Sequence, residues 1–367
     1  MEMKMAQKTY AIAVLAGDGI GPECIDSTRQ TLERAAEIHG LQFDFVDYEA
    51  GAGLYLSAGH AISDETLAAV GAADAILLGA MGLPSVRMPN GLEIAPQIDL
   101  REHYGLFASL RPVQRFDGVP PTIVATDIDM LVIRETTEGL FAGRHDVGGD
   151  SDDAVSDRLT ITRATSEKLF HLAFHQAQLR KAAGGRGKVT LLDKANVLKS
   201  FVFLRKIFDE VAAHYPEIES ERIYIDAGCM FMVLDPGKYD VVVTENQFGD
   251  IVSELAAGLV GGLGVAPSAD LSEDRGIFQP CHGTAPSIAG MGIANPIATI
   301  LSAAMMLDWL SERHGDPRAK NAANGLRHAV STVLKNGPRT RDLGGTGLTI
   351  DVTAAVIAAI PTVSANS

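Results

Sequence analysis

Short apolar runs alternate with helix-sized segments along the chain, and this alternation constrains the fold more than any other feature. The run "YAIAVLAG" precedes "GPECIDSTRQTLERAAEIHG", and the runs "AILLGAM", "KVTLLDK" and "YDVVVTEN" are similarly separated by helical patterns. Strands separated by helices of that size predict an α/β protein with a largely parallel sheet flanked by helices. A chain of 367 residues also exceeds what one hydrophobic core usually serves, which predicts two domains.

Composition narrows the classes of partner and compartment. The formal net charge of -15 argues against nucleic acid, whose binding depends on clustered Lys and Arg. The longest apolar run, "IATILSAAMML", is too short to span a bilayer, so no membrane partner is expected. No signal-peptide pattern is present, and the three cysteines, Cys24, Cys229 and Cys281, are too few and scattered for a disulfide framework. These features predict a cytoplasmic protein.

The segment "GDGIGPE", from Gly17 to Glu23, follows a predicted strand and opens a predicted helix. It departs from the G-x-G-x-x-G dinucleotide fingerprint because Pro22 stands where the third glycine belongs. A proline there is typical of the first helical turn. The segment therefore predicts a tight strand-to-helix turn, and a Rossmann fold of the usual Gly-rich type is not expected.

Isolated acids and a lysine stand at the ends of three predicted strands. Asp226 ends "RIYID", Lys194 ends "VTLLDK", and Asp250 and Glu254 follow "VVVTENQFG" on one face of an otherwise apolar helix. Ligands gather beyond the carboxyl ends of parallel strands, so these side chains could converge. Three oxygen donors without a matching His/Cys set favour Mg²⁺ or Mn²⁺. The alternative is that Asp226 caps a turn and Glu254 is merely solvated.

Three arginines follow apolar residues in the same way. They are Arg101 in "IDLRE", Arg111 in "FASLRP" and Arg134 in "MLVIRE". A guanidinium group binds a carboxylate through two parallel hydrogen bonds. Any one of them alone is more simply a surface residue, but three beside a metal site favour a di- or tricarboxylate substrate.

A set of motifs occurs in order over nearly the whole chain. They are "GDGIGPE", "LFASLRP", "VIRETTEG", "LLDKANVL", "YIDAG", "TENQFGDI", "CHGTAPSIAGMGIANP" and "LSAAMML". The chain thus resembles the β-decarboxylating dehydrogenases, which act on isopropylmalate, isocitrate, homoisocitrate, tartrate or D-malate. The resemblance implies a two-domain isopropylmalate/isocitrate dehydrogenase-like fold. Its cofactor-binding domain would comprise residues 1–107 and 264–367, and its substrate and dimerisation domain residues 108–263, with an arm near 142–163.

The resemblance also implies an activity and roles for residues. Such enzymes oxidise the 2-hydroxyl of a malate-type acid by hydride transfer to NAD or NADP and then release the β-carboxylate as CO₂. Arg101, Arg111 and Arg134 would bind the substrate carboxylates, and Asp226, Asp250 and Glu254 would surround Mg²⁺ or Mn²⁺. Lys194 would help to remove the hydroxyl proton. Lys194 and Asp226 would reach the partner's site, which implies a homodimer.

The cofactor would lie against the stretch from His282 to Pro296. The implied contacts are His282, Gly283, Thr284, Ala285, Ser287, Ile288 and Asn295. NAD-preferring relatives usually carry an aspartate at the Ser287 position, whereas NADP users tend to carry a lysine followed by a tyrosine. Ser287 and Ile288 match neither pattern fully, and NAD is the expectation because no basic pair is present to neutralise a 2′-phosphate.

Three departures from the family pattern bear on the chemistry. Phe141 occupies the position of a catalytic tyrosine that helps protonate the enol, Glu254 replaces an aspartate, and Gln279 replaces a glutamate before the "HG" motif. Gln97 and Ile98 lie where relatives select their substrate, and they favour a 3-alkylmalate, nominally 3-isopropylmalate. A tartrate or D-malate dehydrogenase, a non-catalytic ligand-binding paralogue and a metal-dependent hydrolase are the alternatives.

Overall fold

The computed structural model describes residues 8–120, 127–145 and 151–362. Within them, ten strands form one continuous sheet, in the order β2-β1-β3-β10-β9-β4-β5-β8-β6-β7. The strands are β1 (Thr9–Leu15), β2 (Gln42–Asp47), β3 (Ala75–Leu78), β4 (Ala108–Gln114), β5 (Asp129–Glu135), β6 (Lys188–Asp193), β7 (Glu219–Tyr224), β8 (Val241–Thr244), β9 (Pro267–Leu271) and β10 (Gly276–Pro280).

The sheet is mostly parallel, as the alternation of runs predicts. Parallel pairing holds on the two flanks, β2-β1-β3-β10 and β5-β8-β6-β7. The three antiparallel pairs, β10 with β9, β9 with β4 and β4 with β5, lie together in the middle. The expected α/β class is confirmed, with one sheet running through both halves of the chain.

Eleven α-helices flank the sheet in the described residues. They are α1 (Gly21–His39), α2 (Ala52–Ala58), α3 (Asp64–Val70), α4 (Pro96–His103), α5 (Arg163–Ala182), α6 (Lys199–Ala212), α7 (Ile225–Leu234), α8 (Asn246–Leu259), α9 (Ile297–His314), α10 (Pro317–Asn336) and α11 (Thr349–Ala359). None of these helices is long and apolar enough to cross a bilayer. Pro22 lies in the first turn of α1, which confirms the tight turn predicted for "GDGIGPE".

The central strands separate a polar face from an apolar face. Side chains alternate along a strand, so neighbours point to opposite faces. On β4 and β9, Leu110 and Ala269 enter the main hydrophobic core. Their neighbours Ser109 and Asp270 face the other way and are also buried. This polar face forms the floor of the site described below.

One expectation about local structure needs correction, and three strands are not indicated by the sequence. Strand β7 ends at Tyr224, so Asp226 lies in the first turn of α7 and does not end a strand. The strands β4, β9 and β10 are not indicated by apolar runs, because each contains a proline and alternating polar residues. Pro112 is tolerated inside β4 because β9 pairs only with Ala108 to Leu110, so β9 does not extend along this part of β4.

The division into two domains stays a prediction. The sheet crosses the predicted boundary where β4 pairs with β9. Part of the predicted arm, residues 146–150, lies outside the described residues. The remainder includes an isolated bridge between Ser151 and Ala154 and another between Gly139 and Thr160.

Candidate active site

A cleft of about 190 Å³ lies over the polar face of the central strands. It gathers nine of the residues implicated by sequence: Gln97, Ile98, Arg101, Arg111, Arg134, Phe141, Asp250, His282 and Gly283. Gln279, noted as a departure from the family pattern, lines it too. Residues from α4, β4, β5, α8 and β10, from the 3₁₀ turn that begins at Phe141 and from the loop after β10 thus meet at one place.

Helix α8 supplies the polar groups that hold two of the arginines. The Oδ1 atom of Asp250 accepts from Nη1 of Arg134 and from Nη1 of Arg111, the latter at 3.4 Å. Asn246 Oδ1 accepts from Nη2 of Arg134 at 2.8 Å, and Ser253 Oγ accepts from Nη1 of Arg111 at 2.7 Å. Asn246, Asp250 and Ser253 share one face of α8 because they are spaced by four and three residues. Sequence reasoning identified only Asp250, although this spacing indicates the other two.

Both arginines are buried cations in the cleft. Burial, followed by the like charge of Arg111, lowers the pKa of Arg134 to about 9. Arg134 therefore stays protonated at neutral pH. The three arginines bring more positive charge to the cleft than Asp250 brings negative charge. This balance favours an anionic ligand such as a dicarboxylate.

Arg101 is held by an acid that the sequence motifs do not indicate. Its Nε donates to Oδ2 of Asp270 at 2.8 Å, and both side chains are almost completely buried. Gln279 Nε2 donates to the same oxygen at 2.6 Å. Burial alone would raise the pKa of Asp270, but the charges of Arg101 and Arg111 and the hydrogen bonds to Asp270 together leave the pKa below its usual value.

Phe141 stands at the mouth of the cleft, in a short 3₁₀ turn that continues to residue 145. Its ring centroid lies 5.3 Å from Cζ of Arg134, which is a cation–π contact. The side chain thus covers the buried arginine with an apolar surface. It has no hydroxyl to donate a proton, as the sequence indicates.

Lys194 and Asp226 lie apart from the cleft-lining residues and contact each other. Lys194 Nζ and Asp226 Oδ1 are 3.0 Å apart, and this hydrogen bond lowers the pKa of Asp226. Lys194 follows β6, whose last residue Asp193 is fixed by two 2.7 Å hydrogen bonds from Arg205. Glu254 is exposed one turn beyond Asp250. Across the described residues, no three His, Cys, Asp or Glu side chains gather as a metal site.

Within one chain, the carboxylates that could bind a metal form only part of a metal site. Asp250 and Glu254 share a helix face and provide hard oxygen ligands, which suit Mg²⁺ or Mn²⁺. The Oδ2 atom of Asp250 accepts no hydrogen bond from the described residues, so it is available to a cation. Asp226 would complete the set only from a second copy of the chain.

Exposed apolar side chains surround these same polar groups. Val197 is 70% exposed three residues after Lys194, and Ile251 is 57% exposed next to Asp250. Met230, one turn after Asp226, is also exposed. Exposed apolar side chains beside site residues on three elements are typical of a surface that is covered in an oligomer.

The loop implicated in cofactor binding packs against the "GDGIGPE" turn. Thr284 O accepts from the backbone N–H of Ile20 at 2.9 Å. The Glu23 carboxylate accepts from the backbone N–H groups of Gly292 and Ala294, at 3.3 and 2.9 Å. This turn thus supports the loop from below.

The individual cofactor candidates differ in availability. Ser287 and Gly283 are exposed, and Nε2 of His282 is a buried atom that makes no hydrogen bond to any described residue. Ile288 and Ala285 pack in a small apolar cluster. Asn295 is buried, and its amide bonds Asp342 at 2.9 Å and the Ile297 N–H at 3.1 Å. The exposed backbone and the unsatisfied imidazole fit a polar ligand such as a dinucleotide, whereas Asn295 mainly fixes the loop.

This fold and cleft define an enzyme class. The model of the isocitrate/isopropylmalate dehydrogenase family matches residues 11–360, and the chain belongs to that family. A 3-isopropylmalate/3-methylmalate dehydrogenase of Methanocaldococcus jannaschii is 42% identical over 338 residues, covering 92% of this chain and 94% of that protein. A 3-isopropylmalate dehydrogenase of Archaeoglobus fulgidus is 43% identical over 335 residues, covering 91% and 94%.

Solved structures agree with this assignment. An isocitrate dehydrogenase from Methylococcus capsulatus has a TM-score of 0.84 and 34% identity, and covers 96% of this chain and 99% of its own. A β-decarboxylating dehydrogenase from Thermococcus kodakarensis has a TM-score of 0.77 and 36% identity, and covers 96% of each chain. Together with the relatives above, they make this chain a decarboxylating dehydrogenase.

Proposed function

We propose that the chain oxidises and decarboxylates a 3-alkylmalate, nominally 3-isopropylmalate, with NAD as hydride acceptor and Mg²⁺ or Mn²⁺ as metal. The observation that carries the proposal is the convergence of Arg101, Arg111 and Arg134 with Asp250 in one cleft beside the His282–Gly283 turn. Three cations serve a substrate with more than one carboxylate. The names of the relatives, including 3-isopropylmalate and 3-methylmalate, favour alkyl substituents.

The arginines bind and orient the substrate. Two carboxylates held on guanidinium groups fix the malate backbone and turn its hydroxyl toward Asp250. Ile98 offers apolar contact to an alkyl substituent at C3. Gln97 adds an oxygen, Oε1, that makes no hydrogen bond to a described residue. The mixed surface accommodates a short alkyl group and disfavours a third carboxylate.

Proton transfer needs a lysine from a second copy of the chain. A divalent cation bound by Asp250 and Glu254, with Asp226 of the second copy, would supply charge that favours loss of the hydroxyl proton and stabilises the enolate. Lys194 of the second copy would then accept that proton through its Nζ. The exposed apolar side chains near these residues, such as Val197, support a homodimer with shared sites.

The dinucleotide would lie along the loop from His282 to Asn295. Ser287, exposed on this loop, would receive the ribose hydroxyl, and the absence of a Lys-Tyr pair at 287 and 288 favours NAD. Burial lowers the pKa of His282, so the imidazole is neutral at pH 7 and its Nε2 is available to a polar ligand group. The three cysteines form no disulfide, which suits the reducing cytoplasm.

The test is NADH formation by the purified protein with Mn²⁺. The panel comprises 3-isopropylmalate, 3-methylmalate, D-malate, tartrate and isocitrate, with NAD or NADP, and released CO₂ is followed in parallel. We expect NADH and CO₂ in equal amounts from an alkylmalate, and none after chelation of the metal. Turnover of D-malate or tartrate alone would replace the proposed substrate. Binding without turnover under every metal would favour the non-catalytic paralogue.

A mixing experiment tests the shared site separately. The variants Lys194→Ala and Asp250→Asn are each expected to be nearly inactive. In a hybrid dimer, one site combines an intact Asp250 with an intact Lys194 from the other chain. Because random mixing yields half hybrids with one intact site each, about a quarter of the unaltered activity should return. No recovery in confirmed hybrid dimers would show that each site is built from one chain.

A further inference from the structure

Asp270 is a buried carboxylate in the floor of the cleft. It lies on β9, its side chain is completely shielded from solvent, and it faces the same side of the sheet as Ser268. A buried acid is costly unless it is paired and hydrogen-bonded. The Oδ2 atom of Asp270 accepts from two donors, Arg101 Nε at 2.8 Å and Gln279 Nε2 at 2.6 Å, whereas its buried Oδ1 atom has no hydrogen-bond partner among the described residues.

The way Asp270 holds Arg101 leaves the substrate-binding end of that arginine open. Only Nε of Arg101 is engaged, and its two Nη groups donate to no acceptor among the described residues. The other two arginines each donate through Nη1 to α8: Arg134 to Asp250, and Arg111 to Ser253. Arg101 therefore presents both Nη groups for bidentate binding of a carboxylate.

We propose that Asp270 is a positioning residue that orients Arg101 toward the substrate carboxylate. This inference rests on the proposed function, since Arg101 must bind substrate for its orientation to matter. Asp270 itself is buried and does not line the cleft. It acts through Arg101 on one side and through Gln279 on the other.

The identities of residues 270 and 279 are coupled by this geometry. A glutamate at 279 would place a carboxylate oxygen about where Gln279 Nε2 now lies, 2.6 Å from Asp270 Oδ2. Two carboxylates at that distance cannot both be ionised. The amide of Gln279 instead donates a hydrogen bond. With Asp270 present, glutamine is the residue that fits at position 279.

The experiment compares four forms of the full-length enzyme on the hydroxyacid that the unaltered enzyme uses best: unaltered, Asp270→Asn, Gln279→Glu and the double exchange. Asp270→Asn should raise KM for the hydroxyacid at least tenfold and change kcat less than threefold, because Arg101 binds substrate and transition state alike. Gln279→Glu should raise KM for the hydroxyacid at pH 8, because a carboxylate then replaces the hydrogen-bond donor beside Asp270. In the double exchange, the one atom of the new amide that faces both partners would have to donate to the carboxylate at 279 and accept from Arg101 Nε, which no amide atom does, so KM should stay raised at least tenfold.

The outcomes separate this inference from the proposed function. An unaltered enzyme that oxidises no hydroxyacid in the panel contradicts the proposed function. An active enzyme whose KM is unchanged by Asp270→Asn, or whose KM is restored by the double exchange, contradicts the role of Asp270. Urea unfolding midpoints are recorded for every form. If neither the Asp270→Asn variant nor the double exchange folds, Asp270 is a structural residue and the proposal is wrong.

Discussion

Replacing Gly19 by Ala should destabilise the protein by separating two loops that now touch. Gly19 has a φ of +59°, and a Cβ built on it would lie 2.0 Å from the carbonyl oxygen of Thr284. The left-handed conformation alone costs a non-glycine residue about 1–2 kcal/mol. Forcing the loops apart adds about 1–3 kcal/mol, the usual cost of an overpacked contact. We expect a total loss of roughly 2–5 kcal/mol in the free energy of unfolding.

Gly290 provides the matched control. It has a φ of +71° in the same loop that carries Thr284, and a Cβ there would meet no atom within 4 Å. Gly290→Ala therefore includes the conformational cost without the contact, about 1–2 kcal/mol. The difference between the two variants, about 1–3 kcal/mol, isolates the contact between the loops.

The assay is urea unfolding of both variants at one protein concentration, with KM for NAD measured alongside. Gly19→Ala should unfold at lower urea than Gly290→Ala. It should also raise KM for NAD, because displacing Thr284 moves the loop proposed to hold the dinucleotide. Equal unfolding midpoints for the two variants would refute the reasoning, since the contact would then contribute nothing.

Further predictions follow from other residues. Lys194→Ala should lower kcat at least a hundredfold while light scattering still reports a dimer, and normal turnover would contradict the role of Lys194. Phe141→Tyr should preserve the cation–π contact with Arg134 and leave KM for the hydroxyacid within about threefold of the unaltered value. A larger increase in KM would show that the added hydroxyl disturbs the cleft. Val197→Asp should shift the protein toward monomer in light scattering and lower activity in parallel; an unchanged dimer would place the interface elsewhere. Burial raises the pKa of Glu135 to about 7, against hydrogen bonds from Thr137 and Glu138 that favour its charged form. Its stabilising contribution is thus fully present below about pH 4.5 and is lost as pH rises through about 7, by roughly 3 kcal/mol. The urea midpoint of Glu135→Gln, relative to that of the unaltered protein, should therefore rise between pH 5 and pH 8. A difference between the two midpoints that does not change with pH would contradict the raised pKa of Glu135.

The fold was predictable wherever apolar runs report burial on both faces of the sheet. Strands β3, β6 and β8 are uniformly or largely buried and read as such in the sequence. The central strands β4, β9 and β10 were missed because one of their faces serves the cleft. Arg111 and Gln279 interrupt the apolar pattern there, so the polar residues that make the site also hide its strands.

The charged residues of the candidate site were predictable from the sequence, but the residues that hold them in place were not. The arginines and Asp250 were found because their chemistry is distinctive beside strand ends. Asp270 was not found, because a single acid in "PSADL" belongs to no motif and its burial depends on Arg101, far away in sequence. The expectation that ligands gather at strand ends groups Asp226 with Asp250. Within one chain, however, Asp226 forms an ion pair with Lys194.

The antiparallel middle of the sheet has a consequence for how the chain assembles during synthesis. Strand β3 ends at Leu78, yet its neighbour β10 begins only at Gly276. Strands β5 to β8 are contiguous in sequence and can pair among themselves as soon as Thr244 has left the ribosome. The first three strands must instead wait with one edge open until β9 and β10 emerge. The half that is made first is thus completed last, and its exposed edge is where chaperones or misassembly would act on the nascent chain.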